Sequence, residues 1–313
     1  MSVEMQITLG GLVMKNPVAV ASGTFGSGRE YARLWEEGST SQEPTPLSVL
    51  GALTTKGVSL EPWSGARGVR IAETASGMLN SIGLQNPGVE AFCVGDLAWL
   101  ATQDLPVIVN VCGRSASEYA QLISRLETEE AVAGYEINIS CPNVDCGGMA
   151  FGTSASAAAE ITALCRAATR RPLIVKLSPN VTDITEIARA AEAAGADALS
   201  MINTVAGMAV DAKTRSRVFD RGVAGLSGPA IKPIALYAVS RVYKAVAVPL
   251  LGMGGIRTVV DAVEFLLAGA TAIAVGTASF TDPLAAPQLV NGLASWCRDE
   301  GVHTIGELTG ALS

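Results

Sequence analysis

Short apolar runs rich in β-branched residues alternate along this chain with longer stretches of helical period. The runs are Pro17–Ser22, Ala52–Lys56, Pro106–Cys112, Tyr135–Ser140, Leu173–Ser178, Ala198–Thr204, Pro249–Gly255 and Ala272–Thr277. Each is almost continuous in hydrophobicity, the pattern of parallel strands covered on both faces. Between them, Ser117–Glu130, Ser156–Ala168, Asp183–Ala194 and Val259–Leu267 carry the spacing of amphipathic helices. Asp183 and Thr258 stand where an N-cap oxygen would meet the first free backbone N–H groups. Eight strands alternating with helices predict a closed (β/α)₈ TIM barrel, one α/β domain over residues 1–313, in preference to an open doubly wound sheet.

Three stretches exceed what a connection needs. Residues 57–105, 141–153 and 205–226 each follow a strand, so each is predicted to project at the carboxyl-terminal face of the barrel. Polar residues gather at the same strand ends: Lys56, Asn110, Asn138, Cys141, Asn143, Lys176, Asn203 and Thr204. In this fold such positions read as catalytic.

Lys176 ends an apolar strand, where an unpaired cation would be costly, so it is expected to face an anion or a ligand. A Schiff-base lysine and a charge beside an electron-rich cofactor ring both fit. Gly252-Met-Gly-Gly-Ile256 and Gly276-Thr277 follow the seventh and eighth strands, where barrels bind phosphate with backbone N–H groups. They do not complete Gly-x-Gly-x-x-Gly, so a dinucleotide fold is not indicated. Cys141 precedes Pro142-Asn143 on a stiffened loop and is placed to act as nucleophile or base, with Cys146 as the alternative. A disulfide between the two is a minor alternative, and a metal shared by them lacks further ligands nearby.

Composition narrows the partners. Apolar residues make up 49% of the 313 and charged residues 16%, with a net charge of −7. An acidic chain without a basic run is a poor ligand for nucleic acid or anionic membrane. The amino terminus lacks a basic region followed by an apolar core, and no apolar stretch is long enough to span a bilayer, so a cytoplasmic protein is expected. Cys93, Cys112, Cys165 and Cys297 lie in apolar segments and are predicted to be buried thiols. The one histidine, His303, is expected at the surface, which leaves no histidine triad or zinc site.

Ile137-Asn-Ile-Ser-Cys-Pro-Asn-Val144 with Gly147-Gly148 and Phe151-Gly152 resembles the catalytic loop of class 1 dihydroorotate dehydrogenases. The resemblance extends through Ala21–Gly26, Asn80–Gly88, Gly225–Pro233, Gly252–Ile256 and Val275–Thr277, so it covers nearly the whole chain. Leu84–Gly88 and Ser140–Gly148 favour the class 1B branch, in which the barrel works with a separate electron-transfer subunit.

The resemblance implies FMN as cofactor and oxidation of dihydroorotate to orotate in pyrimidine synthesis. It implies that Cys141 removes the C5 proton while the C6 hydride passes to flavin N5. Asn80, Ser81, Ile82, Gly83, Leu84, Asn138, Asn143, Asn203 and Thr204 would meet the substrate, and Lys56 would lie between substrate and flavin. Ser22, Gly23, Gly57, Asn110, Asn138, Lys176, Ile202, Gly228, Gly254, Gly255, Gly276 and Thr277 would hold FMN. Asparagines suit a planar imide, because each amide both donates and accepts. The implied assembly is a homodimer joined by a partner bearing FAD and a [2Fe–2S] centre, a heterotetramer with NAD⁺ as final acceptor. A class 1A enzyme using fumarate, another flavin barrel acting on a related pyrimidine, and a flavin-free lyase using Lys176 are the alternatives. Two positions depart from the family pattern: Ala224 stands where glycine is expected, and Cys146 where a basic or polar residue is expected. A class 2 enzyme, with a serine base and a membrane extension, is not expected, since cysteine stands at position 141.

Overall fold

The computed structural model describes residues 3–37, 47–139 and 151–313. Eight strands close into a barrel: β1 (Val18–Val20), β2 (Ala52–Thr54), β3 (Val107–Val111), β4 (Val132–Asn138), β5 (Leu173–Lys176), β6 (Ala198–Met201), β7 (Leu250–Met253) and β8 (Ala272–Val275). Neighbours in sequence are neighbours in space, and every pair is parallel, including the closure of β8 on β1. Every residue of β1, β2, β3, β5, β6, β7 and β8 is buried, which explains why these strands lack polar alternation in the sequence.

The apolar runs overshoot the strands at their carboxyl ends. The chain stays buried for one or two residues beyond the strands, at Thr55, Leu177 and Ile202 for example, whose N–H groups still donate to the neighbouring strands, and these residues begin the catalytic face. β4 instead starts three residues before its run, because Gly134 interrupts the hydrophobic pattern while pairing with β3 continues through it, with a register shift at Ala133. The predicted caps form: Asp183 accepts from the Thr185 N–H, and Thr258 and Asp261 make a reciprocal capping box. The helix expected over Ser117–Glu130 is shorter, Ala116–Leu126, since the chain must turn at once into β4.

Two further units frame the barrel. An antiparallel hairpin of Ile7–Leu9 and Leu12–Met14 turns at Gly10 and Gly11, both with positive φ. A Cβ at Gly10 would lie 2.6 Å from the Asp197 carbonyl oxygen, just before β6, so the hairpin lies at the amino-terminal end of the strands. At the other end, the long connections after β2 and β6 pair into one four-stranded antiparallel sheet. Its order is Val205–Gly207, Ala224–Ser227, Gly77–Asn80, Ile71–Thr74. Leu79, Phe219 and Ala224 form a small buried cluster within this lid. Ala224, at the position where glycine was expected, thus contributes its methyl group to this cluster.

Candidate active site

A cavity of about 570 Å³ lies between the strand ends and the lid, and a second, of about 80 Å³, opens beside it. The two share Ser22, Thr24, Lys176, Asn203, Thr204 and Ser227, so they adjoin each other. The larger part is lined by Ser22, Gly23, Lys56, Gly57, Asn80, Ser81, Ile82, Gly83, Leu84, Asn110, Asn138, Lys176, Asn203 and Thr204. The smaller is lined by Ile202, Gly228, Gly254, Gly255, Gly276 and Thr277. Every residue expected to meet substrate or cofactor that falls among the described residues therefore borders this space. Cys141, Asn143 and Cys146 lie outside them. A volume of this size is typical of small-molecule and cofactor sites.

Backbone register sets the polar floor. Asn110 stands opposite Glu136 on the β3–β4 ladder, and Lys176 stands opposite Asn138 on one side and Ser200 on the other. Asn203 Nδ2 donates to Asn138 Oδ1 at 3.3 Å, and the buried Tyr119 hydroxyl donates to the Asn138 carbonyl at 2.8 Å. Lys176 meets its expected anion in Glu136, at 3.8 Å, with both side chains buried. Glu136 was not singled out in the sequence. The available signal was a carboxylate two residues before Asn138 in an otherwise apolar strand. Asn180 was missed too: it accepts from the Ala206 N–H and donates to the Thr204 carbonyl, clipping the connection after β6 to the end of β5.

Lys56 follows β2 and reaches the same space. Burial pushes its pKa down from the ordinary lysine value; Cys112 opposes that shift, while Arg70 and Lys176 add to it. Gly57 is required beside it, because a Cβ there would fall 2.8 Å from Cys112 Sγ and 3.1 Å from Asn110 Oδ1. The 80–88 segment is held by Asn86, whose side chain accepts from the Ser59 and Gly88 N–H groups and donates to the Leu84 carbonyl.

The smaller cavity is bounded by turns with little room for side chains. Gly228, Gly254 and Gly255 have φ of +94°, +128° and +88°. A Cβ at Gly254 would meet Ala235 at 2.9 Å, and one at Gly255 would meet the Gly228 carbonyl oxygen at 2.9 Å. Thr277 Oγ1 donates to Ser227 Oγ at 2.8 Å, tying the end of β8 to the lid. The four other cysteines, Cys93, Cys112, Cys165 and Cys297, are buried, as expected, and His303 is exposed. No helix among the described residues is long and apolar enough to cross a membrane.

A profile of the family described as dihydroorotate dehydrogenase matches residues 4–296. Among curated relatives, "dihydroorotate dehydrogenase B (NAD(+)), catalytic subunit" of Pelobacter propionicus is 51% identical over 312 residues, covering 100% of this chain and 99% of that protein. The protein of the same name from Lachnoclostridium phytofermentans is 51% identical over 306 residues, covering 98% of each. Among solved structures, DHODH of Eimeria tenella in complex with ferulenol superposes with a TM-score of 0.79 at 20% identity, over 98% of this chain and 88% of that one, a likeness of fold. Half-identity along the full length, with the same barrel and the family's motifs converging on one cavity, settles the lineage: the chain belongs to the dihydroorotate dehydrogenase family, in its class 1B branch.

Proposed function

We propose that this chain oxidises dihydroorotate to orotate with bound FMN and hands the electrons to a partner subunit that reduces NAD⁺. The observation that carries this reading is the pair of adjoining cavities at the strand ends, an amide-rich compartment on one side and a glycine-lined one on the other. Its residues fit FMN. The turns at Gly254, Gly255 and Gly276 bring backbone close to the smaller cavity, where a phosphate would sit beside the ends of β7 and β8. Lys176 borders both compartments and supplies a cation there.

When bound, FMN supplies a two-electron acceptor; the rest of the chemistry falls to the chain. Asn80, Asn138, Asn203 and Thr204 border the larger compartment and would hold the planar substrate, with Asn143 completing the set from the loop after β4. Cys141, on the same loop, takes the proton from substrate C5 as a thiolate. The lid excludes water over them, and Asn80 Nδ2 donates to the Gly225 carbonyl, joining two of its strands. Lys176 is committed to an ion pair with Glu136, which favours an electrostatic role over a Schiff base. The relatives' designation as NAD⁺-linked catalytic subunits supports a partner subunit; FAD and a [2Fe–2S] centre in that partner, a homodimer of this chain and a cytoplasmic setting are what the class 1B resemblance adds.

The test is direct. The purified protein is expected to be yellow and to release FMN on denaturation. Cys141→Ala should keep FMN but lose dihydroorotate oxidation, while Cys146→Ala keeps most activity. The isolated chain should reduce a dye quickly and NAD⁺ slowly until the partner is added. A colourless protein that FMN cannot reconstitute refutes the function; fast fumarate reduction moves it to class 1A.

A further inference from the structure

Glu136 is a carboxylate with no solvent exposure, enclosed by the barrel strands, and the reaction does not use it directly. Its Oε2 accepts from Asn110 Nδ2 at 2.6 Å and lies 3.8 Å from Lys176 Nζ. Its Oε1 accepts from Ser200 Oγ at 2.6 Å. Asn110 and Ser200 are fully buried as well. A buried charge is costly unless it is paired and hydrogen-bonded, and apolar residues could fill this layer at no loss of stability. Its presence therefore calls for a reason beyond packing.

Two consequences follow from the geometry. An ionised carboxylate only accepts, so it must face the amino group of Asn110, not the oxygen. That leaves Asn110 Oδ1 on the Gly57 side, where Cys112 Sγ donates to it at 3.5 Å, and makes the residue an acceptor towards the cavity it lines. The second consequence is electrostatic. Lys176 is the cation shared by both compartments, and a negative charge directly behind it offsets part of the field it projects into them.

We propose that Glu136 is a positioning residue that tunes the flavin site from inside the barrel, by fixing the Asn110 amide and partly neutralising Lys176. The proposal rests on FMN occupying the cavity as argued above. Reduced flavin carries more negative charge than oxidised flavin, so an unshielded Lys176 favours the reduced form. Glu136 then holds the flavin potential lower than the lysine alone would set it, which eases onward transfer of electrons.

The experiment measures the midpoint potential and the dissociation constant of FMN in the purified holoprotein and in three variants. Glu136→Gln keeps the shape and removes the charge. It should favour the reduced flavin by about tenfold or more, a positive shift of roughly 30 mV for a two-electron couple. Its neutral amide can turn either end to Asn110, so FMN binding should also weaken several-fold. Ser200→Ala removes one hydrogen bond and no charge, and should move the potential less than threefold. Glu136→Asp retains the charge and should likewise stay within threefold of wild type. It keeps the proposal open to refutation even where the Gln variant does not fold. A Gln variant with the wild-type potential overturns the proposal. So does a Ser200→Ala or Glu136→Asp variant that shifts as far as the Gln variant was expected to, since packing rather than charge would then control the flavin. Wild-type protein that binds no FMN would instead overturn the functional reading on which the proposal rests.

Discussion

The floor of the cavity is made of side chains from adjacent barrel strands, whereas its roof is made of backbone paired across more than a hundred residues of sequence. In the floor, Asn110, Glu136, Lys176 and Ser200 come from β3, β4, β5 and β6, and consecutive ladders set their heights. The main apolar core of the barrel surrounds them, so displacing one means disturbing that core. In the roof, Gly77–Asn80 pairs with Ala224–Ser227, and only Leu79, Phe219 and Ala224 are buried as its own cluster. The floor inherits the stability of the whole barrel. The roof has little core of its own and can open without unfolding what lies beneath it.

Two phenylalanines break this comparison most sharply. Phe265 and Phe219 are both buried, the first in the main core and the second in the lid cluster. Phe265→Ala should cost about 3–5 kcal/mol of global stability, read from denaturant unfolding. Phe219→Ala should leave the main transition nearly in place, but raise KM for dihydroorotate and speed hydrogen exchange at Leu79 and Leu226. Equal losses of global stability would show that roof and barrel unfold as one.

Gly225→Ala tests how closely the roof lies on the floor. A Cβ at Gly225 would fall 2.2 Å from Thr204 Oγ1 and 2.7 Å from Thr204 Cβ, a contact no rotamer change relieves. Substrate affinity should drop by about tenfold, roughly 1.4 kcal/mol, while FMN remains bound. Titrating orotate into both proteins measures it, and unchanged affinity would mean that the lid rides higher than this.

A smaller effect is expected from pH. Burial depresses the Lys56 pKa in the folded chain, so between that lowered value and the ordinary value of about 10.4 the unfolded chain holds more protons. Stability contributed by this group therefore rises with pH across that window. Binding of anionic orotate should run the other way, weakening as Lys56 loses its charge before an exposed lysine would. A Lys56→Gln variant should flatten that part of the orotate-affinity profile; persistence of the slope would assign it to another group.

The smallest effect lies far from the cavity. Arg125 bridges Glu90 at 2.7 Å and Glu129 at 2.8 Å on the surface. Arg125→Ala should cost less than about 1 kcal/mol, because partly exposed pairs gain little over hydrated ions. Thermal melts would check this, and a larger loss would point to a network beyond the pair.

The barrel was legible because each strand is covered on both faces, which leaves a continuous apolar run, and because Asp183 and Thr258 announce their helices. The floor residues stood out as polar interruptions at the ends of those runs. Glu136 escaped notice because it interrupts a run in mid-strand, where only knowledge of its partners Asn110, Ser200 and Lys176 gives it meaning. The lid was visible only as excess length. Its strands are three or four residues long, and its pairing depends on sequence-distant partners such as Asn80 and Gly225, which local pattern does not encode. The amino-terminal hairpin was also overlooked, although Gly10-Gly11 between two alternating triplets is a recognisable turn signal.

The segment from Gly225 to Gly228 serves both compartments in four residues. Gly225 lies against Thr204 in the roof, Ser227 accepts from Thr277, and a Cβ at Gly228 would meet the Gly77 backbone at 2.8 Å beside the smaller cavity. Both ends of this segment are thus held at a fixed distance, and one residue added or removed would pull one glycine out of place. The turn between Val210–Asp211 and Ser216–Arg217, which is exposed, carries no such constraint. Across descendants of this barrel, changes in length should accumulate at residues 212–215 and be absent from 225–228, so that the lid evolves by growing at its tip while the strand that spans both compartments keeps a constant count.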